Sequence, residues 1–322
     1  VLTKELKEFT FIDLFAGIGG FRLGLESIGG KCVFSCEVDK HAAKTYEAWY
    51  GDNPLGDVTQ LNPLDVPDHD ILTGGFPCKS FSIAGVSQRV GTNKPHGFDD
   101  KDTGHLFFEI IRILKVKCPP VVLLENVKNL RSHNQGRTFS TIQKKLGELG
   151  YKVFYEVIDA KYYVPQHRER IIIVGLRKDV FGEEINFEFP NHDKLEPKKL
   201  KSILEENPDP AYTLPDGTWA YLQRRKQTNI DNGKGFGYSL ANPEGITRTL
   251  SARYGKDGAE ILIKQSGNPR KLTTRETARL MGFPDHLPIV VSKTQAYKQF
   301  GNAVVPLIIK AVGLKIRELI TS

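Results

Sequence analysis

The stretch FTFIDLFAGIGGFRLGLESIGG, residues 9 to 30, constrains the fold more than any other part of the chain. An apolar, β-rich run from Thr10 to Leu14 ends in a glycine turn at Gly17, Gly19 and Gly20. Apolar residues then recur at helical spacing as far as Gly29 and Gly30, where a helix is expected to stop. Strand, glycine turn and helix in that order open a nucleotide-type α/β fold. The rival reading is a dinucleotide loop, but GxGxxG requires glycine or alanine where Arg22 stands, so the pyrophosphate cradle fails. A ligand without phosphates suits the turn better. Glu37, ending the next strand in CVFSCEVDK about twenty residues on, is placed to hold ribose hydroxyls, and Asp57 of GDVTQ to grip an adenine amino group. Alone, the turn is often mere packing and either carboxylate is more often solvated or a helix cap. Their order and spacing together point to an S-adenosylmethionine pocket.

The chemistry centres on DILTGGFPCKSFSIAG, residues 70 to 85. Asp70 to Thr73 read as the end of a buried strand, Gly74 and Gly75 allow a sharp turn, and Pro77 stiffens the approach to Cys78. A thiol at the carboxyl end of a strand lies where open α/β sheets bind ligands. Cys78 is therefore the candidate nucleophile, although most free cysteines are small buried hydrophobes. Residues 86 to 104 are polar and aperiodic, which reads as a lid. A helix with Leu106, Phe107, Ile110, Ile111 and Leu114 inward follows, then the strand PVVLLENV, which delivers Glu125 and Asn126 to the same edge as Cys78. A partly desolvated carboxylate keeps its proton closer to neutral pH, so Glu125 is a plausible general acid, with a helix cap as the plain alternative. In QHRERIIIV, Arg168 and Arg170 alternate with Glu169, so both guanidiniums can point to one side and fork onto a carboxylate, a base carbonyl or a phosphate. A surface ion pair with Glu169 is the duller possibility.

With 322 residues the chain most naturally forms one large and one smaller domain. Four cysteines, Cys32, Cys36, Cys78 and Cys118, without a CxxC pair suggest neither a disulfide scaffold nor a metal site. Apolar runs fall short of a membrane span and the first residues, VLTKELKEF, lack a signal-peptide core, so a soluble cytoplasmic protein is expected. A net charge of +7 favours a polyanionic partner. The excess is concentrated: residues 221 to 270 hold nine Lys or Arg against four Asp or Glu.

FIDLFAGIGGF, EVDK, GDVTQ, GGFPCKSFSIAG, LLENVKNL, VPQHRERIIIVG, RKLTTRETARLMGFPD and QAYKQFGNAVVP follow one another as in the DNA (cytosine-5) methyltransferase family, which the chain resembles over nearly its whole length. The resemblance implies a Rossmann-like S-adenosylmethionine-dependent methyltransferase fold of the bacterial restriction-modification type, carrying an inserted, loop-rich target-recognition domain. It implies that Phe15, Ala16, Gly17, Gly19, Gly20, Glu37, Val38, Asp57, Val58, Pro77, Leu106, Asn302 and Val304 surround the methyl donor. Cys78 would be the nucleophile, Glu125 would contact the cytosine ring, and Arg168 and Arg170 would assist at the ring carbonyl and the loop. Two departures stand out: Lys79 replaces the glutamine that commonly follows the cysteine, and HGFDDKDTG replaces the usual end of the lid.

Residues 191 to 273, charged and Pro-rich and then broken by Gly, Asn and Asp, read as short strand-like pieces of the recognition domain, with 1 to 190 plus 274 to 322 forming the catalytic domain. Lys234, Arg248, Arg253 and Lys256 are candidates for phosphates or guanine edges. By the resemblance, Ser82 and the Thr249–Leu250 pair also meet DNA. NGKGFGYSL and TLSARYGKDGAEILI look like recognition segments of enzymes acting on CCGG or CCWGG. The expected protein is a monomeric, metal-free enzyme that methylates cytosine in a short palindromic duplex site. The alternatives are a tRNA cytosine-5 methyltransferase and a non-catalytic DNA-binding relative.

Overall fold

The computed structural model describes residues 8–77, 106–192, 195–233, 237–256 and 258–321. Cys78, Ser82, Lys234 and the expected lid lie outside the described residues.

Six strands form one sheet: β1 (Phe9–Leu14), β2 (Gly30–Cys36), β3 (Ile71–Gly74), β4 (Val121–Val127), β5 (Tyr151–Asp159) and β6 (Glu169–Arg177), in the order β2-β1-β3-β4-β6-β5. The first four are parallel, while β6 runs antiparallel to both β4 and β5. Parallel strands are covered on both faces, and the residues sort accordingly. Phe9, Phe11, Val121 and Leu123 join one core cluster, and Ile12, Leu14, Val122 and Leu124 join the other. The two-residue period of a strand decides this: odd positions of β4 face one layer, even positions the opposite one. Glu125 continues the odd series, as do Ile172 and Val174 on β6 through the even one of that strand, so Glu125 and Arg170 emerge on a shared face.

The helices Leu106–Lys117 and Arg137–Glu148 cover one layer, burying Phe107, Ile110, Ile111, Ile113 and Leu114 from the first and Phe139, Ile142 and Leu146 from the second. The helices Gly20–Glu26 and Pro306–Ile320 lie on the other. They meet at glycines: a Cβ at Gly24 would sit 2.8 Å from Ile309, and one at Gly313 2.7 Å from Leu25.

The helix Arg137–Glu148 begins only after Asn134, Gln135 and Gly136, whose left-handed backbone ends one helical course before another can start. One expected element differs. Within 191 to 273, the residues DGTWAYLQRRKQTNID form a helix, Asp216–Asp231, in place of strand-like pieces. Straight-chain residues favour it and Leu222 anchors it in a small cluster with Leu214, Ala259 and Leu262. Among the described residues, strand structure there is confined to β7 (Leu262–Ile263) and β8 (Arg270–Lys271).

Arg22, the residue that disqualifies the dinucleotide loop, is built into the fold. Its guanidinium donates to Glu26 at 2.7 Å and to the Tyr46 hydroxyl at 3.3 Å, and lies 4.4 Å from the Tyr50 ring centroid. Beneath the turn, Asp13 is fully buried and its Oδ2 has no hydrogen-bond partner among the described residues. Burial pushes the Asp13 carboxyl well above the usual range, against the opposing pull of the Thr73 hydroxyl and Arg22. A folded-state value above the unfolded one means that this side chain's contribution to stability is full below about pH 4 and is lost as pH rises. Asp13→Asn is therefore expected to gain thermal stability relative to wild type as pH is raised from 4.5 to 8, measured without donor. A difference that stays flat across that range would contradict this reading of Asp13.

Candidate active site

The strand order reverses beside β1, since its two neighbours β2 and β3 leave it in opposite directions. At such a switch point the carboxyl ends of the strands open a crevice. Three of the chain's segments converge there. Phe15 (φ 55°) and Gly17 (φ 56°) turn the backbone after β1 through left-handed conformations. A Cβ on Gly20 would lie 2.5 Å from the Val304 carbonyl oxygen, and one on Gly75, just past β3, would lie 3.5 Å from Val304 Cγ2 and 3.8 Å from Glu125 Oε2. Val304 thus touches the loop of β1 on one side and the β3 end on the other.

Glu37 follows β2. Its Oε2 accepts from Gly17 N and its Oε1 from Asp39 N, both at 2.7 Å, which fixes the carboxylate against the glycine turn. Burial raises its pKa from the ordinary carboxylate value, and those same backbone donors oppose the rise. Beside it Val38 is 70% exposed and Leu55, bridged to Glu37, is 56% exposed. Two exposed aliphatic side chains next to an oriented carboxylate form a wall suited to a flat, polar-edged ring. Asp57 is held by its own cap, Oδ1 accepting from Thr59 N at 2.9 Å and Thr59 Oγ1 at 2.8 Å. Ala16 and Val58 are buried at the rim, with Ala16 N donating to Cys36 O at 3.0 Å. Pro77 and Leu106 are both half-buried, and Asn302 ends the helix Lys293–Asn302 as an exposed residue.

Glu125 is 9% exposed near the end of β4. Arg170 Nε lies 3.1 Å from Glu125 Oε1. Burial pushes the Glu125 carboxyl up, and the charges of Arg170 and then Arg168 pull the other way. Next to it Asn126 Nδ2 donates to Phe76 O at 3.0 Å, tying β4 to the segment that leads to Cys78.

The two arginines expected to act as a pair separate. Arg170 faces Glu125, whereas Arg168 is 2% exposed and donates to the carbonyls of Leu250, Gly301 and Ala303 at 3.1, 3.0 and 2.9 Å. Its fork is occupied by main chain and does not open to a substrate. Alternation fails as a guide because Arg168 precedes β6, and its carbonyl partners come from distant sequence. Gln166, in the same motif but not singled out by its sequence, is fully buried; its Oε1 accepts from Leu250 N at 2.8 Å. Together with a parallel bridge to Thr247, it zips the motif onto residues 247 to 250. A buried position for a glutamine between a proline and a histidine carries no periodic signal.

On the outer side of this zipper a cavity of about 370 Å³ is lined by His167, Ile246, Thr247, Arg248, Thr249 and Glu260. Thr249 Oγ1 donates to His167 O at 2.6 Å, and the His167 ring is 2.7 Å from Asp159 Oδ2. Arg248, Arg253 and Lys256 are exposed. Arg270, counted in the basic excess, points inward instead, with Nη1 and Nη2 at 2.7 and 2.8 Å from the fully buried Glu276 carboxylate. Among the described residues no cluster of His, Cys, Asp and Glu is arranged to hold a metal ion, and no helix is long and apolar enough to cross a membrane.

Residues 9–318 match the sequence model of the C-5 cytosine-specific DNA methylase family. The Type II methyltransferase M.SsoII of Shigella sonnei is 51% identical over 99% of this chain and 83% of its own length. The Type II methyltransferase M1.ScrFI of Lactococcus lactis subsp. cremoris is 50% identical over 98% of this chain and 80% of its own. In structure, the chain is similar to the S. pombe Dnmt2 methyltransferase, with a TM-score of 0.73 at 19% identity covering 98% of this chain and 99% of that one. That likeness establishes the α/β methyltransferase fold, and the family match, together with two relatives at about half identity over nearly the whole chain, establishes the rest: the chain belongs to the C-5 cytosine-specific DNA methylase family.

Proposed function

We propose that this DNA cytosine-5 methyltransferase takes its methyl group from S-adenosylmethionine and transfers it to a cytosine flipped out of duplex DNA, through a covalent adduct with Cys78. The observation that supports this most is the paired Glu125 and Arg170, 3.1 Å apart, opening beside Gly75 and Val304 at the switch point. The residues around the crevice fit the donor: a glycine turn that admits close backbone approach, an oriented Glu37 for ribose hydroxyls, and Val38 with Leu55 against the adenine. When bound, S-adenosylmethionine supplies an electrophilic methyl on a sulfonium.

An aromatic carbon is too unreactive to accept that methyl directly. The Cys78 thiolate adds to carbon 6, forming a C–S bond and moving an electron pair toward carbon 5. Glu125, whose pKa burial raises against the pull of Arg170 and Arg168, donates a proton at ring nitrogen 3, and Arg170 stabilises charge at the carbonyl oxygen. Carbon 5 would take the methyl as the methyl–sulfur bond breaks and S-adenosylhomocysteine leaves; a solvent base would then remove the carbon 5 proton, the freed pair would re-form the double bond to carbon 6 as the Cys78 thiolate departs, and nitrogen 3 would return its proton to Glu125. The target carbon is hidden in a duplex, which is why the base is extruded.

Residues 191–273 are proposed as a target-recognition insert in the catalytic domain of residues 1–190 and 274–322, with DNA between the two. Arg248, Thr249, Arg253, Lys256, Lys234 and Ser82 are the proposed contacts, and a palindromic site of the CCGG or CCWGG class the proposed target. Protection of host DNA from a cognate endonuclease is the proposed role, supported by the Type II names of the relatives. A monomer in the cytoplasm completes the reading. Incubation with labelled donor and either duplex DNA or tRNA tests it: label is expected in DNA at carbon 5 of cytosine. Label in tRNA alone, or in neither, would contradict it, and mapping modified cytosines in a plasmid identifies the site.

A further inference from the structure

We propose that Arg168 is a positioning residue that couples DNA engagement to retention of the methyl donor. The inference rests on the S-adenosylmethionine reading above. Its basis is one guanidinium holding two functional segments at once. Nη1 donates to Leu250 O, directly after Thr249 in the segment proposed to meet DNA. Nη2 donates to Gly301 O and Ala303 O, the carbonyls on either side of Asn302, and the next residue, Val304, abuts Gly20 and Gly75 at the donor crevice.

Other contacts hold the same junction rigid. Gln166 Oε1 accepts from Leu250 N at 2.8 Å, so both the amide and the carbonyl of Leu250 are fixed by side chains of one short motif. A Cβ on Gly301 would lie 2.4 Å from Ser251 O and 2.5 Å from Ala252 N, so the donor-side helix meets the recognition segment backbone to backbone. The Arg168 charge also acts on the Glu125 carboxyl. A planar, pre-organised fork is the side chain that can hold three carbonyls in fixed relative positions; an ammonium on a flexible stem cannot. A shift of residues 249 to 251 on DNA therefore moves the carbonyls around Asn302, and the linkage runs equally in reverse.

The test is a binding cycle with S-adenosylhomocysteine, measured on the full chain free and saturated with a duplex bearing a mapped methylation site. Wild type is expected to bind at least about fivefold more tightly when DNA is present. In Arg168→Lys this ratio is expected to fall to within about twofold of one, while the free protein still binds S-adenosylhomocysteine and keeps its circular dichroism. Gly301→Ala, which leaves Arg168 in place but wedges the junction apart, is expected to lower the ratio as well. A purely structural role would weaken both affinities together and leave the ratio at its wild-type value, which would overturn the coupling. A ratio of one in wild type would overturn it too. No S-adenosylhomocysteine binding by wild type at all would sink the donor reading itself, and the coupling with it.

Discussion

Serine in place of Cys78 is expected to eliminate methyl transfer, by about four orders of magnitude or more, while S-adenosylhomocysteine affinity stays within about twofold. The size follows from what the first step demands. A thiol is partly ionised near neutral pH and its thiolate is intrinsically nucleophilic, whereas a serine hydroxyl without an adjacent base is neither. No other described group stands ready to add to carbon 6, since Glu125 is paired with Arg170 and Arg168 is committed to main-chain carbonyls. The proposed donor contacts lie in the turn after β1, at Glu37 and at Val304, at positions the exchange leaves unchanged in sequence. Single-turnover transfer and isothermal titration separate the two effects. Transfer within tenfold of wild type would remove the covalent mechanism.

Glu125→Gln is expected to lower the transfer rate by roughly 10²- to 10³-fold, the usual cost of losing one group aimed at developing charge. The amide keeps the size of the side chain and a hydrogen to share, but it has no proton to give up at ring nitrogen 3. A pH signature goes with it. The active form of Glu125 carries its proton, and burial raises the pKa at which that proton is lost, so the wild-type rate should decline as pH rises through that value. The glutamine variant should lack this alkaline limb. An alkaline limb that survives unchanged in Glu125→Gln would assign it to another group.

The parts of this site that were legible in sequence are those built by short-range rules. The glycine turn after β1 declares itself because Gly17 and Gly19 need left-handed backbone, and Glu37 because a carboxylate ending β2 falls beside that turn in any parallel pair. The position of Glu125 could be read from its place at the carboxyl end of a Val/Leu-rich strand. Arg168 could not, because its role depends on carbonyls that folding brings from residues 250, 301 and 303. The helix Asp216–Asp231 was missed for a related reason. Its single buried residue, Leu222, leaves almost no periodic apolar signal, and tertiary contact with Leu214, Ala259 and Leu262 supplies the anchor. Arg270 shows the same limit for charge counting: a basic residue in a basic region is consumed by Glu276.

The most direct measurement is the mass of the enzyme after incubation with S-adenosylmethionine and a duplex carrying 5-fluorocytosine at a mapped target. Fluorine at carbon 5 cannot leave as a cation, so the elimination that would free Cys78 is blocked once the methyl has been added. The covalent mechanism gives a species with the combined mass of chain, strand and one methyl group, joined through the Cys78 peptide. Enzyme that methylates ordinary cytosine yet emerges from the fluorinated duplex at its unmodified mass, or joined through any other residue, would contradict it.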